Sequence, residues 1–160
     1  MSYTEEKTAR IKTSRLDIEK LNQFFETLTF CRLPARSSKP VDDVTTTWRV
    51  VLISLNSQKD PLALEIYDVI TIGRSLGASA VDLDLTPFRA LELGVSRVHA
   101  AIHPTEESLL LFDRDSTNGT FCNFKSASAT EALKIENNDI ISFGVLNFQV
   151  KMIQYPEGVK

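Results

Sequence analysis

Apolar residues recur at helical spacing near the start of the chain and fall into short β-type runs from residue 48 onward. Leu21, Phe24, Phe25 and Leu28 stand at i, i+3, i+4 and i+7, the positions of one helical face. Ser14 followed by Asp17 resembles a helix-start signal, with Asp in place of the usual Glu or Gln. The pattern predicts an amphipathic helix over 14–30 that stops before Pro34. Its apolar stripe has two uses open to it: packing on the chain's own domain, or pairing with a partner or second copy. Residues 33–47 hold Pro34, Pro40, Asp42, Asp43 and three consecutive threonines, and read as a linker. The chain therefore divides into an N-terminal helix and linker, 1–45, and a folded domain, 46–160.

Within that domain the runs are short. Candidate strands lie at 49–55, 62–67, 69–72, 98–103, 109–112, 132–135, 140–143 and 148–153. Turn residues separate them, including Asn118-Gly119 and Asn137-Asn138-Asp139. No helical pattern of 10–15 residues intervenes, which disfavours a parallel α/β sheet. The expected class is all-β, a sandwich or barrel.

Composition narrows the function more than the fold. Hydrophobic residues make up 42% and charged residues 24% of the 160 positions, a globular pattern. A net charge of −3 argues against bulk nucleic-acid binding. No run of about 18 apolar residues is present and the N-terminus lacks a signal-peptide core, so no membrane partner is expected and a cytoplasmic location is. Cys31 and Cys122 are the two cysteines, too few for a zinc framework, and read as reduced thiols, with one disulfide between them as the alternative. His99 and His103 lack the cysteine or acidic neighbours of a metal site, so neither a metal nor another cofactor is expected.

Three clusters sit where strands give way to loops: Gly73-Arg74, then Gly94-Val95-Ser96-Arg97-Val98-His99, then Asp115-Ser116-Thr117-Asn118-Gly119-Thr120. They offer guanidinium groups, hydroxyls and an amide, but no acid/base pair. That inventory suits an anionic oxygen ligand, for which arginine supplies a bidentate fork and hydroxyls supply neutral donors. Catalysis is not expected. Ser96 lies in no G-x-S-x-G elbow, and Gly73-Arg74-Ser75-Leu76-Gly77 lacks the ending of a phosphate-binding P-loop.

The order and spacing of these clusters, completed by Asn138-Asp139-Ile140-Ile141-Ser142-Phe143-Gly144, resemble the forkhead-associated (FHA) family. Asp82-Leu83-Asp84-Leu85-Thr86-Pro87-Phe88 looks like a bacterial-type FHA segment. The resemblance spans about 48–153. It implies a sandwich of two mostly antiparallel sheets, about eleven strands, that binds phosphothreonine through loops at one apex. Carried over position by position, Arg74 and Ser96 would contact the phosphate, Arg97 the phosphate or peptide, and Thr117 would add a hydroxyl or amide. Asn118 would hold the peptide main chain. Gly73, His99 and Gly119 would support the site. Asn138 replaces the family's usual glycine, a change that Asn tolerates in a left-handed turn. Gly94, two before Ser96, has no side chain with which to read the peptide.

The implied role is docking of phosphothreonine-containing partner proteins marked by an upstream Ser/Thr kinase. Two rival readings stay within interaction proteins. One is an FHA scaffold that works without phosphate, and the other is a homo-oligomer built through the N-terminal helix.

Overall fold

The computed structural model describes residues 23–24, 27–35, 47–75 and 81–154. Most of the expected helix lies outside these residues; Gln23 and Phe24 are helical, whereas residues 27–30, also expected in the helix, form a turn and irregular chain. Twelve strands occur among the described residues: β1 (Cys31–Leu33), β2 (Trp48–Ser54), β3 (Leu62–Ile66), β4 (Ile70–Gly73), β5 (Leu83–Asp84), β6 (Ala100–Pro104), β7 (Leu109–Asp113), β8 (Thr120–Cys122), β9 (Lys125–Ser126), β10 (Leu133–Ile135), β11 (Ile140–Phe143) and β12 (Leu146–Gln154). A short 3-10 helix covers Thr86–Phe88. No described helix is long and apolar enough to cross a membrane.

The strands form two sheets. Seven run in the order β1-β3-β2-β12-β11-β8-β9, and five in the order β10-β7-β6-β4-β5. All pairings are antiparallel except β1 with β3 and β4 with β5. Alternating side chains of both sheets fill the space between them. Phe143 and Phe148 are fully buried there, with Phe88 edge-on to Phe148 at 5.3 Å between ring centres.

The run Val50-Val51-Leu52-Ile53 does not alternate because β2 is covered on both faces. Val50 and Leu52 point into the core. Val51 points outward and is covered with Ala63 by Leu28, Phe30, Ile53 and Ile153. Part of the N-terminal apolar stripe therefore packs on the chain's own sheet. β1, from the stretch read as helix and linker, extends that sheet alongside β3. Glu65 ties the edge together, meeting Arg49 at 2.9 Å and Arg32 at 3.5 Å.

Candidate functional site

Three loops meet at one end of the sandwich: the exit of β4, the β5–β6 connection and the β7–β8 connection. Gly73 and Arg74 join the first to the second. The Arg74 N–H is shared between the carbonyls of Ser96 and Arg97, at 3.2 and 3.1 Å. Its Nε donates to the Val95 carbonyl at 2.8 Å. This bond holds the guanidinium through Nε and commits neither of its two terminal nitrogens. Gly73 is required by close approach: a Cβ there would lie 2.0 Å from the Arg97 carbonyl oxygen.

Ser96 links the second loop to the third. Its Oγ accepts the Thr117 N–H at 3.1 Å, so its own hydroxyl proton is free to donate elsewhere. The same bond occupies the Thr117 amide and leaves that residue's hydroxyl as its contribution. Asn118 Nδ2 donates to the Gly94 carbonyl at 3.0 Å, which leaves Oδ1 as an acceptor. Arg97, Thr117 and Asn118 are all exposed. Gly94 sits at φ +81°, and a Cβ there would lie 2.6 Å from Asn118 Nδ2. A side chain there would be strained by the left-handed backbone and would displace the Asn118 amide from Gly94.

His99 is fully buried beneath these loops. Its Nδ1 accepts the Ser96 N–H at 2.9 Å. The other nitrogen, Nε2, must then carry the proton and donate to the Gly119 carbonyl at 2.8 Å. One ring thus spans the second and third loops, and Phe143 braces it edge-on at 5.8 Å. Neither nitrogen is left to act as a base toward Ser96. Gly119 is at φ +88°, and its carbonyl also accepts the Gly144 N–H at 3.0 Å.

Burial pushes the His99 pKa down, with the Gly119 bond and Asp113 opposing. Burial and nearby Arg114 lower that of His103, against the pull of Asp68. Both rings are therefore harder to protonate folded than unfolded. Stability from them is complete above their ordinary pKa of about 6.5 and is lost as pH falls below it toward the folded values. Thermal melts of the free chain should show a melting temperature that declines from pH 7 to 5; a flat profile would contradict this assignment. Asp84 and Asp113 do not confuse that window, because their folded pKa values are lowered. Their stabilisation is retained until pH approaches the ordinary carboxylate range.

Asp113 was not among the residues singled out from sequence. Its carboxylate accepts the Ser116 N–H at 3.1 Å, the Ser116 hydroxyl, and the Thr120 hydroxyl at 2.6 Å. Burial alone would raise its pKa, but these bonds outweigh it and hold the group ionised. Ser116 Oγ in turn accepts the Gly119 N–H at 2.9 Å. The Asp113-x-x-Ser116 spacing, an acid ahead of a turn, was the available signal.

The FHA domain family model matches residues 70–144, which contain every one of these groups. A domain from a structural and functional analysis of phosphothreonine-dependent FHA domain interactions is 26% identical, with a TM-score of 0.51 over 65% of this chain and 96% of that one. The FHA domain of a hypothetical protein from Arabidopsis thaliana is 21% identical, with a TM-score of 0.55 over 77% and 99%. The FHA domain of the CT664 protein from Chlamydia trachomatis is 19% identical, with a TM-score of 0.52 over 64% and 96%. No curated protein matches the chain.

Proposed function

Because this chain carries an FHA domain, the fold of a phosphopeptide-binding module, we propose that it docks partner proteins bearing phosphothreonine, written by a Ser/Thr kinase. The observation that supports this most directly is that Arg74, held by the Val95 carbonyl, shares one end of the sandwich with the linked loops of Ser96, Thr117 and Asn118. A phosphothreonine brings about −1.5 to −2 charges and three acceptor oxygens at neutral pH. Arg74 and Arg97 supply charge-assisted donors for those oxygens. The Ser96 hydroxyl donates its proton to phosphate while its lone pair keeps the Thr117 N–H. The Thr117 hydroxyl completes the set. Asn118 Oδ1 accepts a peptide N–H, and its bond to Gly94 keeps the amide in place before the ligand arrives. Arg74, Ser96 and Asn118 are thus held before binding, which limits the ordering cost.

Isothermal titration with four versions of one peptide tests the reading. The phosphothreonine form should bind best, the phosphoserine form less well, and the aspartate and unmodified forms barely at all. Affinity should hold from about pH 7 to 8 and fall as the phosphate dianion is protonated near pH 6. Added salt should weaken it, since exposed charges are screened. If the unmodified peptide binds as tightly as the phosphorylated one, the phosphate-independent scaffold reading replaces this one.

A further inference from the structure

The β8–β9 hairpin carries a residue that the fold does not explain. Its turn is Asn123-Phe124, closed by the pair Cys122 and Lys125. Both turn residues have positive φ, 49° and 71°, a geometry whose second position normally holds glycine. Asn123 suits its place. Its N–H and Oδ1 meet the Ile140 carbonyl and N–H at 2.8 and 2.9 Å, and Nδ2 donates to Asp139 at 2.8 Å. Phe124 has no such use. It is 92% exposed, on a backbone conformation that a bulky side chain disfavours. A strained, solvent-facing aromatic points to a contact outside the molecule.

Beside the turn lies a cavity of about 340 Å³, with Cys122 and Leu133 among its walls and Lys125, Lys134, Glu136 and Asp139 around them. A knob, a hollow, two cations and two anions therefore share one patch. In the free chain Lys134 and Glu136 meet each other at 3.6 Å, both well exposed, so each can exchange its partner for one on another molecule. Such a patch is complementary to itself, as a twofold interface requires. We propose that two copies of this chain pair here, each placing Phe124 in the other's cavity, with the lysines of one facing Glu136 and Asp139 of the other. The patch lies at the ends of β8 and β11 remote from Gly119 and Gly144, so pairing leaves the phosphate loops open and needs no phosphopeptide. A buried phenylalanine brings only about 150–250 Å², against about 800 Å² per partner in a standard interface. The association is accordingly weak and depends on concentration.

Sedimentation of the full chain across a concentration series tests the proposal. Wild type should shift reversibly from monomer to dimer, and Phe124→Gly should pair at least about tenfold more weakly. Lys134→Glu and Glu136→Lys each place like charges across the interface and should weaken it alone. Mixed, they should associate better than either one, because the swapped charges again face opposites. That rescue cannot come from a folding defect. A wild-type chain monomeric up to about 1 mM, undiminished pairing by Phe124→Gly, or no rescue on mixing would each overturn the proposal. Undiminished pairing in Phe124→Gly would move the interface elsewhere, to the N-terminal segment or another face.

Discussion

Arg74→Ala should lose phosphopeptide affinity by about 30-fold or more while the domain stays folded. The binding loss follows from removing one member of a charge pair with phosphate, which costs about 2–5 kcal/mol where water is largely displaced. At about 1.4 kcal/mol per tenfold, the middle of that range exceeds two decades. The fold loses much less. Arg74 is partly exposed, and its side chain holds the structure through one bond, Nε to the Val95 carbonyl. Losing such a bond costs about 1 kcal/mol, a shift of a few degrees in melting temperature. The bonds from the Arg74 N–H to Ser96 and Arg97 belong to the backbone and survive the substitution. Titration calorimetry with the phosphothreonine peptide, beside a thermal melt, separates the two effects. Affinity retained within about twofold would sink the proposed pocket.

The sequence made the longer strands readable and the shortest ones not. Runs such as 140–143 and 148–153 carry enough β-branched and aromatic residues to declare themselves, and β11 and β12 lie there. β5 and β9 have two residues each, too few for any alternation to show. β1 was hidden for another reason. It lies just beyond a helical apolar pattern, and its partner β3 is more than 30 residues away in sequence, as the pairing of Cys31 with Leu64 shows. Asn138 does adopt the left-handed turn expected of it, at φ +73°. In the site, the motifs name residues that the structure brings together at one end of the sandwich, but not how they are held. The carbonyls that position Arg74 and Asn118 belong to Val95 and Gly94, and backbone acceptors leave no trace in residue type. Asp113 escapes a reading of the sequence because an acid beside arginines and hydroxyls looks misplaced until its bonds to Ser116 and Thr120 are seen.

Gly73→Ala, one residue from Arg74, should give the opposite pattern: a damaged fold, with binding lost as a consequence. The added Cβ would lie 2.0 Å from the Arg97 carbonyl oxygen, 2.7 Å from its carbon and 2.9 Å from the Ser96 oxygen. All three are backbone atoms, so no flexible side chain can move aside. Overpacking against side chains costs about 1–3 kcal/mol and occasionally more; against fixed backbone we expect about 3 kcal/mol or above. Relief would require the 96–97 segment to draw away from β4. That movement lengthens both bonds from the Arg74 N–H and the bond from His99 N–H to the Ile72 carbonyl, now 2.8 Å. It also shifts Ser96 relative to the His99 ring and to Thr117, the contacts that join the loops. On the other side of the joint, the Gly73 carbonyl accepts the Leu85 N–H at 2.7 Å, which limits retreat in that direction. A melting temperature lowered by about 10 °C or more, with phosphopeptide affinity reduced in step, is the expected result. A variant that melts like wild type would show that β4 and the Ser96 loop can separate freely, and that Gly73 is not what sets the approach of Arg74 to its partners.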